Sequence, residues 1–135
     1  MGVCDPHIHI FNNKAYLFAT HDEKPGNTEY TMNDWWLWSS SDLINWKMEF
    51  VLDPAKTYIG PWKKCYAPEG ATRNGKYYFY FSKHSFNTGV AVSNTGPEGP
   101  YTDALGRELT GGWDPTVFID DDAKQTPYII FGGYP

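Results

Sequence analysis

Basic clusters, long apolar runs and strong helix formers are what this sequence has least of. Its 11 Lys and Arg are scattered among 16 Asp and Glu, and the net charge is −5. That excludes the electrostatic footprint of a nucleic-acid binder or of a protein drawn to an anionic membrane. No stretch approaches the ~18 apolar residues that a membrane-spanning helix needs. The two cysteines, Cys4 and Cys65, lack metal-ligand spacing and read as two buried free thiols. The opening "MGVCDPHIHIF" has no basic-then-apolar secretion layout. It leaves a cytoplasmic protein, or a secreted one read without its leader.

Aromatic residues, at 18%, and turn formers, with 13 Gly and 10 Pro, are abundant instead, while Leu, Ile and Ala are sparse. This balance favours strands joined by tight turns. Three stretches echo one another: "DPHIHIFNNKAYLFATHD" from Asp5, "APEGATRNGKYYFYFSKH" from Ala67 and "DPTVFIDDDAKQTPYIIFGG" from Asp114. Each has a Pro, an alternating run, a polar turn containing Lys, and a second apolar run. Asn74-Gly75 between two such runs is a strong hairpin signal, and Asn12-Asn13 tolerates the same φ > 0 geometry. Between the first two stretches lie "DWWLWSSS" and "NWKMEFVL". Between the second and third lie "TGVAVSN" and a region around "PYTDAL".

The spacing therefore predicts an all-β chain, a partial β-propeller of about two and a half four-stranded blades in a single domain spanning 1–135. Blade 1 is expected at about 5–53, blade 2 at about 66–110, and half of a third blade at about 113–133, ending in an edge hairpin from Thr116 to Phe131. Four antiparallel strands in roughly 40–50 residues is the size of one blade. The competing reading is a small β-sandwich, which has no need of the same order of elements three times.

"DPHIHIFNNKAYLFATHD", "WSSSDLINW", "APEGATRNGKYYFYF", "GVAVSNTGPEGPYTD" and "WDPTVFIDDDAK", in that order, resemble the first half of a glycoside hydrolase family 43 enzyme. The resemblance implies part of a five-bladed propeller and action on arabinose- or xylose-containing glycans. It also implies roles. Asp5, before Pro at the start of the first blade, matches the general base, and Asp114, before Pro at the start of the third, matches the carboxylate that tunes the acid. The family's general acid, a Glu on the fourth blade, has no counterpart here, so weak or no activity is expected of the chain alone. Glu98, in "PEGP", falls at a loop and is not assigned that role.

The chemistry explains the residue types. An inverting glycosidase needs one carboxylate to deprotonate water and one protonated carboxyl to protonate the leaving oxygen. A further carboxylate nearby raises the acid's pKa by like-charge repulsion. Taken alone, Asp5-Pro6 and Asp114-Pro115 are turn dipeptides. Glu69 is a candidate for the sugar pocket and equally a solvated strand-entry residue. Trp36 either stacks on a sugar or packs between blades, since alternation sends Trp35 and Trp36 to opposite faces. His21 is placed with Glu69 and Trp36 in the substrate-binding set, with His7 and His84 as further candidates for the cavity rim. Asp120, Asp121 and Asp122 read as a solvated turn, no metal site is expected, and a central calcium ion has no motif to support it. No cofactor is called for.

A run of two and a half blades would leave aromatic faces and a strand edge open to water. The expectation is a homo-oligomer, most simply a dimer that completes the propeller. The alternative to an enzyme is a non-catalytic carbohydrate-binding or self-assembling module.

Overall fold

The computed structural model describes residues 2–84 and 86–133, and it is built from strands. Strands β1 (Val3–Phe11), β2 (Lys14–Asp22), β3 (Met32–Ser40) and β4 (Lys47–Leu52) form a four-stranded antiparallel sheet in chain order. The β1–β2 turn holds Asn12 and Asn13 at φ +52° and +61°, the left-handed pair that matches the twist of a hairpin. A short 3-10 turn at Pro54–Lys56, capped by Asp53, starts the crossing to the second sheet. There β5 (Cys65–Arg73), β6 (Lys76–Lys83) and β7 (Asn87–Ser93) run antiparallel, with Asn74-Gly75 at the first turn.

The outer strand expected around "PYTDAL" is broken in two. β8 (Thr102–Asp103) pairs with one end of β7 and β9 (Thr110–Gly111) with the other. The cause is the Asp103 carboxylate, which accepts the N–H groups of its neighbours Leu105 (3.0 Å) and Gly106 (2.8 Å) and of the distant Tyr58 (2.6 Å). These bonds turn the chain off the ladder. The last hairpin is β10 (Trp113–Ile119) with β11 (Pro127–Gly132). Its tip is folded by Asp122, whose side chain accepts both the N–H and the hydroxyl of Thr126 at 2.8 Å.

The sheets succeed one another through their first strands: β5 packs against β1 and β2 on one side and β10 on the other. The core lies between the first and second sheets. Phe18 meets Phe79 edge-on at 4.9 Å, Trp35 leans on Phe81 at 4.9 Å, and all four rings are fully buried. Trp35 also donates its indole N–H to the Tyr66 carbonyl across the sheets at 2.8 Å, so its polar handle is satisfied. Gly70 permits the close approach, because a Cβ there would stand 2.3 Å from the Phe18 ring.

The outward faces are different. Val3, Ile8, Ile10 and Val51 are exposed on the far side of the first sheet, and Phe118, Tyr128 and Ile130 on the third.

Candidate active site

Each of the three first strands carries a β-bulge at its X-Pro dipeptide. The register slips between Cys4 and His7, between Tyr66 and Glu69, and between Trp113 and Thr116. A bulge kinks the strand and re-aims the side chains beside it. Asp5 and Asp114 occupy the bulges of β1 and β10 with φ of +48° and +52°, a left-handed conformation that aspartate tolerates better than most residues. Both side chains stand in exposed positions.

Just after each bulge comes a residue whose side chain reaches the junction of the three first strands, and the three meet there. Thr116 Oγ1 donates to Glu69 Oε2 at 2.8 Å, His7 Nδ1 bonds the same oxygen at 2.8 Å, and His9 Nε2 bonds Oε1. The Gly70 N–H adds a bond to Oε1 at 2.7 Å, and the Val117 N–H reaches Oε2 at 3.4 Å. Glu69 is thus a buried carboxylate, 1% exposed, tying the first strands of all three sheets together. Burial alone would push its pKa up, but bonds from His7, His9 and Thr116 outweigh that and hold it well below the usual carboxylate range.

This hub brings the two aspartates within electrostatic reach of one another. Asp5 lies two residues before His7, and Asp114 two before Thr116. Partial desolvation and then the charge of Asp5 raise the Asp114 pKa, with His7 opposing. His7 itself is raised: its bond to Glu69 is the largest influence, burial opposes it, and the charges of Glu69, Asp5 and Asp114 add to the rise. The Asp114 backbone N–H is anchored to Ser82 Oγ at 3.0 Å, which fixes β10 against the second sheet.

Three of the sequence candidates, Asp5, Glu69 and Asp114, are therefore brought together. Glu69 is not solvated: it lies beneath the surface, behind the partly exposed side chains of His7 and His9. Trp36 and His21 stand elsewhere. They stack on each other at 3.8 Å on the face of the first sheet turned away from the second, beside Asp34, which bonds His21 Nδ1 at 2.7 Å. The reason is register: Trp36 shares that face with Leu17 and Trp38, and Trp35 takes the buried one. Among the described residues, neither Trp36 nor His21 hydrogen-bonds to Asp5, Glu69 or Asp114. Glu98 lies toward the other end of β2, where Tyr16 donates to it at 2.5 Å and Lys14 at 3.4 Å. His84 packs on Tyr66 and Phe86. His9 and Thr116 went unnoticed in the sequence. The available signal was position, since His7, Glu69 and Thr116 each follow the Pro of a repeat.

Comparison with known proteins bears directly on this arrangement. Residues 2–135 match the profile described as glycosyl hydrolases family 43. The chain belongs to that family.

Among similar family 43 proteins, a xylosidase/arabinosidase 43A of Humicola insolens is 36% identical over 96% of this chain and 43% of its own length. An arabinoxylan arabinofuranohydrolase of Bacillus subtilis is 29% identical over 96% and 31%. A solved family 43 β-xylosidase/α-arabinofuranosidase from a compost metagenome, bound to xylotriose in a calcium-free form, superposes with a TM-score of 0.77. It is 31% identical and is covered over 41% of its chain. RS223-β-xylosidase gives 0.81 at 30% identity, covering 97% of this chain and 44% of that one. The fold is thus a partial β-propeller, and the chain spans less than half the length of these family 43 relatives.

Proposed function

We propose that this chain carries the base side of an inverting glycosidase for xylose- or arabinose-containing glycans. In this reading Asp5 is the general base that deprotonates water, and Asp114 is the second carboxylate that tunes the acid and orients the sugar. The observation that carries it is two aspartates in the same left-handed bulge of β1 and β10, electrostatically coupled and bridged by the His7–Glu69–Thr116 contact. Glu69 contributes by holding His7 in place beside the two aspartate-bearing bulges rather than by touching the sugar. His21 and Trp36 are left out of the sugar site, because they stack on the outward face. The xylose- and arabinose-directed names of the relatives support the substrate class.

No residue of this chain is assigned as the general acid. The reading also has the open faces of the first and third sheets covered by a second copy, because Ile8, Ile10, Phe118 and Ile130 would otherwise stay wet.

The test separates base from acid. A dinitrophenyl xyloside or arabinofuranoside, whose leaving group needs no protonation, should be hydrolysed slowly with inversion, followed by NMR. An alkyl glycoside should not be. Asp5→Asn should lower the first rate by about 10²–10⁴. Equal rates for the wild-type chain and Asp5→Asn would remove Asp5 from the mechanism.

A further inference from the structure

The crossing from β4 to β5 walls a cavity of about 640 Å3, lined by Asp53, Pro54, Trp62, Lys63 and Lys64 and by Asn33 of β3. That volume holds a sugar ring and part of its neighbour. The cavity lies at the same end of the sheets as Asp5. Lys64 bridges Met32, Met32 pairs with Asp22 at the end of β2, and His21 pairs with Val3 at the start of β1. Neighbouring strands stand about 4.8 Å apart, so β3 runs about 10 Å outward from β1. We propose that this cavity binds a uronic acid residue carried as a side group on a xylan chain.

Charge selects the ligand. The chain carries a net −5, yet Lys63 and Lys64 line this cavity, and the Lys83 ammonium stands 5.0 Å from the centre of the Trp62 ring. Lys63 is only partly offset by Glu23 at 3.3 Å, an exposed pair. Among the described residues Lys64 has no carboxylate partner; the lysine ion pairs belong to Lys14, Lys47 and Lys63. Asp53 is the single carboxylate lining the cavity among the described residues, and it already accepts the Ala55 N–H at 2.9 Å. The balance favours an anion. A small inorganic anion would leave the remaining groups unused. Trp62 and Pro54 offer apolar surface for the C–H side of a sugar ring, and Asn33 and Asp53 can hydrogen-bond its hydroxyl groups. A sugar bearing a carboxylate uses all of them.

Trp62 adds an independent sign of a ligand. Its indole N–H is buried with no acceptor among the described residues. A buried indole N–H ordinarily finds a partner, and a carboxylate or hydroxyl oxygen of the sugar supplies one. The wall is also fixed in advance. The Lys63 carbonyl accepts the Met32 N–H at 3.0 Å, the Lys64 carbonyl accepts the His84 N–H at 3.0 Å, and the Thr57 carbonyl accepts the Gly60 N–H at 3.2 Å. Little backbone ordering is therefore left to oppose binding.

The xylan backbone rests on the glycosidase reading, but the site is scored by binding and not by turnover, so its failure and that of the Asp5 test are read separately. The chain is titrated calorimetrically with a xylo-oligosaccharide bearing one glucuronic acid, with the same compound reduced to its uncharged glucosyl form, and with an oligogalacturonide. The acidic xylo-oligosaccharide should bind at least about 10-fold more tightly than either, the worth of one hydrogen bond to a charged group. Lys64→Met should remove that preference, whereas Lys47→Met, at the opposite end of the first sheet, should leave it unchanged. Should Lys64→Met fail to fold, the indole N–H resonances of the unaltered chain decide the matter: that of Trp62 should move with the acidic compound and not with the reduced one. Equal affinity for the acidic and reduced compounds, a preference undiminished in Lys64→Met, or a Trp62 resonance that stays still would each overturn the site. Equal or tighter binding of the oligogalacturonide would overturn xylan as the carrier.

Discussion

Replacing Gly70 by alanine adds one methyl group at the tightest contact between the first two sheets. The new Cβ would lie 2.3 Å from Phe18 Cε2 and 2.4 Å from Cζ, well inside any tolerable separation. Phe18 cannot retreat, because it is fully buried with Phe79 edge-on at 4.9 Å and His9 at 6.1 Å. Overpacking of this kind costs about 1–3 kcal/mol. Gly70 has no left-handed backbone, so alanine recovers about 0.4–1 kcal/mol by restricting the unfolded chain. The net expectation is a loss of about 1–2 kcal/mol, a large part of the roughly 5–15 kcal/mol of a small domain. Urea titration should show a lower midpoint with an unchanged slope. The companion variant Phe18→Leu, costly alone, should cost less in the Gly70→Ala background, giving a coupling energy of about 0.5–3 kcal/mol. The shift should also reach the site, because the Gly70 N–H is one of the bonds holding Glu69. A Gly70→Ala chain as stable as the parent, or strictly additive double-variant behaviour, would refute the packing of these two sheets as described.

Other outcomes follow from separate parts of the molecule. Asp114→Asn should leave the melting temperature close to that of the parent, while Asp114→Val should lower stability by about 1–2 kcal/mol, because a β-branched side chain is strained at φ +52°; equal melting curves for the two would deny the left-handed bulge. Glu49 is held by Lys47, Ser39 and Lys14, and although burial opposes them its pKa lies below the usual value. A depressed folded pKa contributes stability that is present above the unfolded value near 4.5 and lost as pH falls through the folded one. Glu49→Gln should therefore flatten the acid limb of stability against pH, and parallel curves would contradict this. Light scattering should find a mass above the 15.4 kDa of one chain, and Ile8→Lys with Ile130→Lys should return it to that value; a monomeric parent would end the case for a second copy.

Much of the architecture could be read from local pattern. Alternation in "KAYLFATHD" and "KYYFYFSK", the Asn12-Asn13 and Asn74-Gly75 turns and the thrice-repeated Pro specify strands, hairpins and their order, because these signals act over a few residues. The same repeats single out Asp5 and Asp114, whose place before Pro is a property of the chain itself. Other features depended on partners distant in sequence. Asp103 splits the outer strand by capturing the N–H of Tyr58 as well as its own neighbours. Trp36 and His21 face outward because the pairing of β2 with β3 gives Trp35 the buried side. Glu69 is a strand-entry acid until three sheets close on it; only then do His7 and His9 from β1 and Thr116 from β10 arrive to bury and bind it. Sequence determines which side chains alternate and where the chain turns, since those follow from backbone sterics. Which carboxylate ends up exposed and which becomes a buried hub is decided by the packing of strands some 50 to 60 residues apart, through desolvation and hydrogen bonds that exist only in the folded molecule.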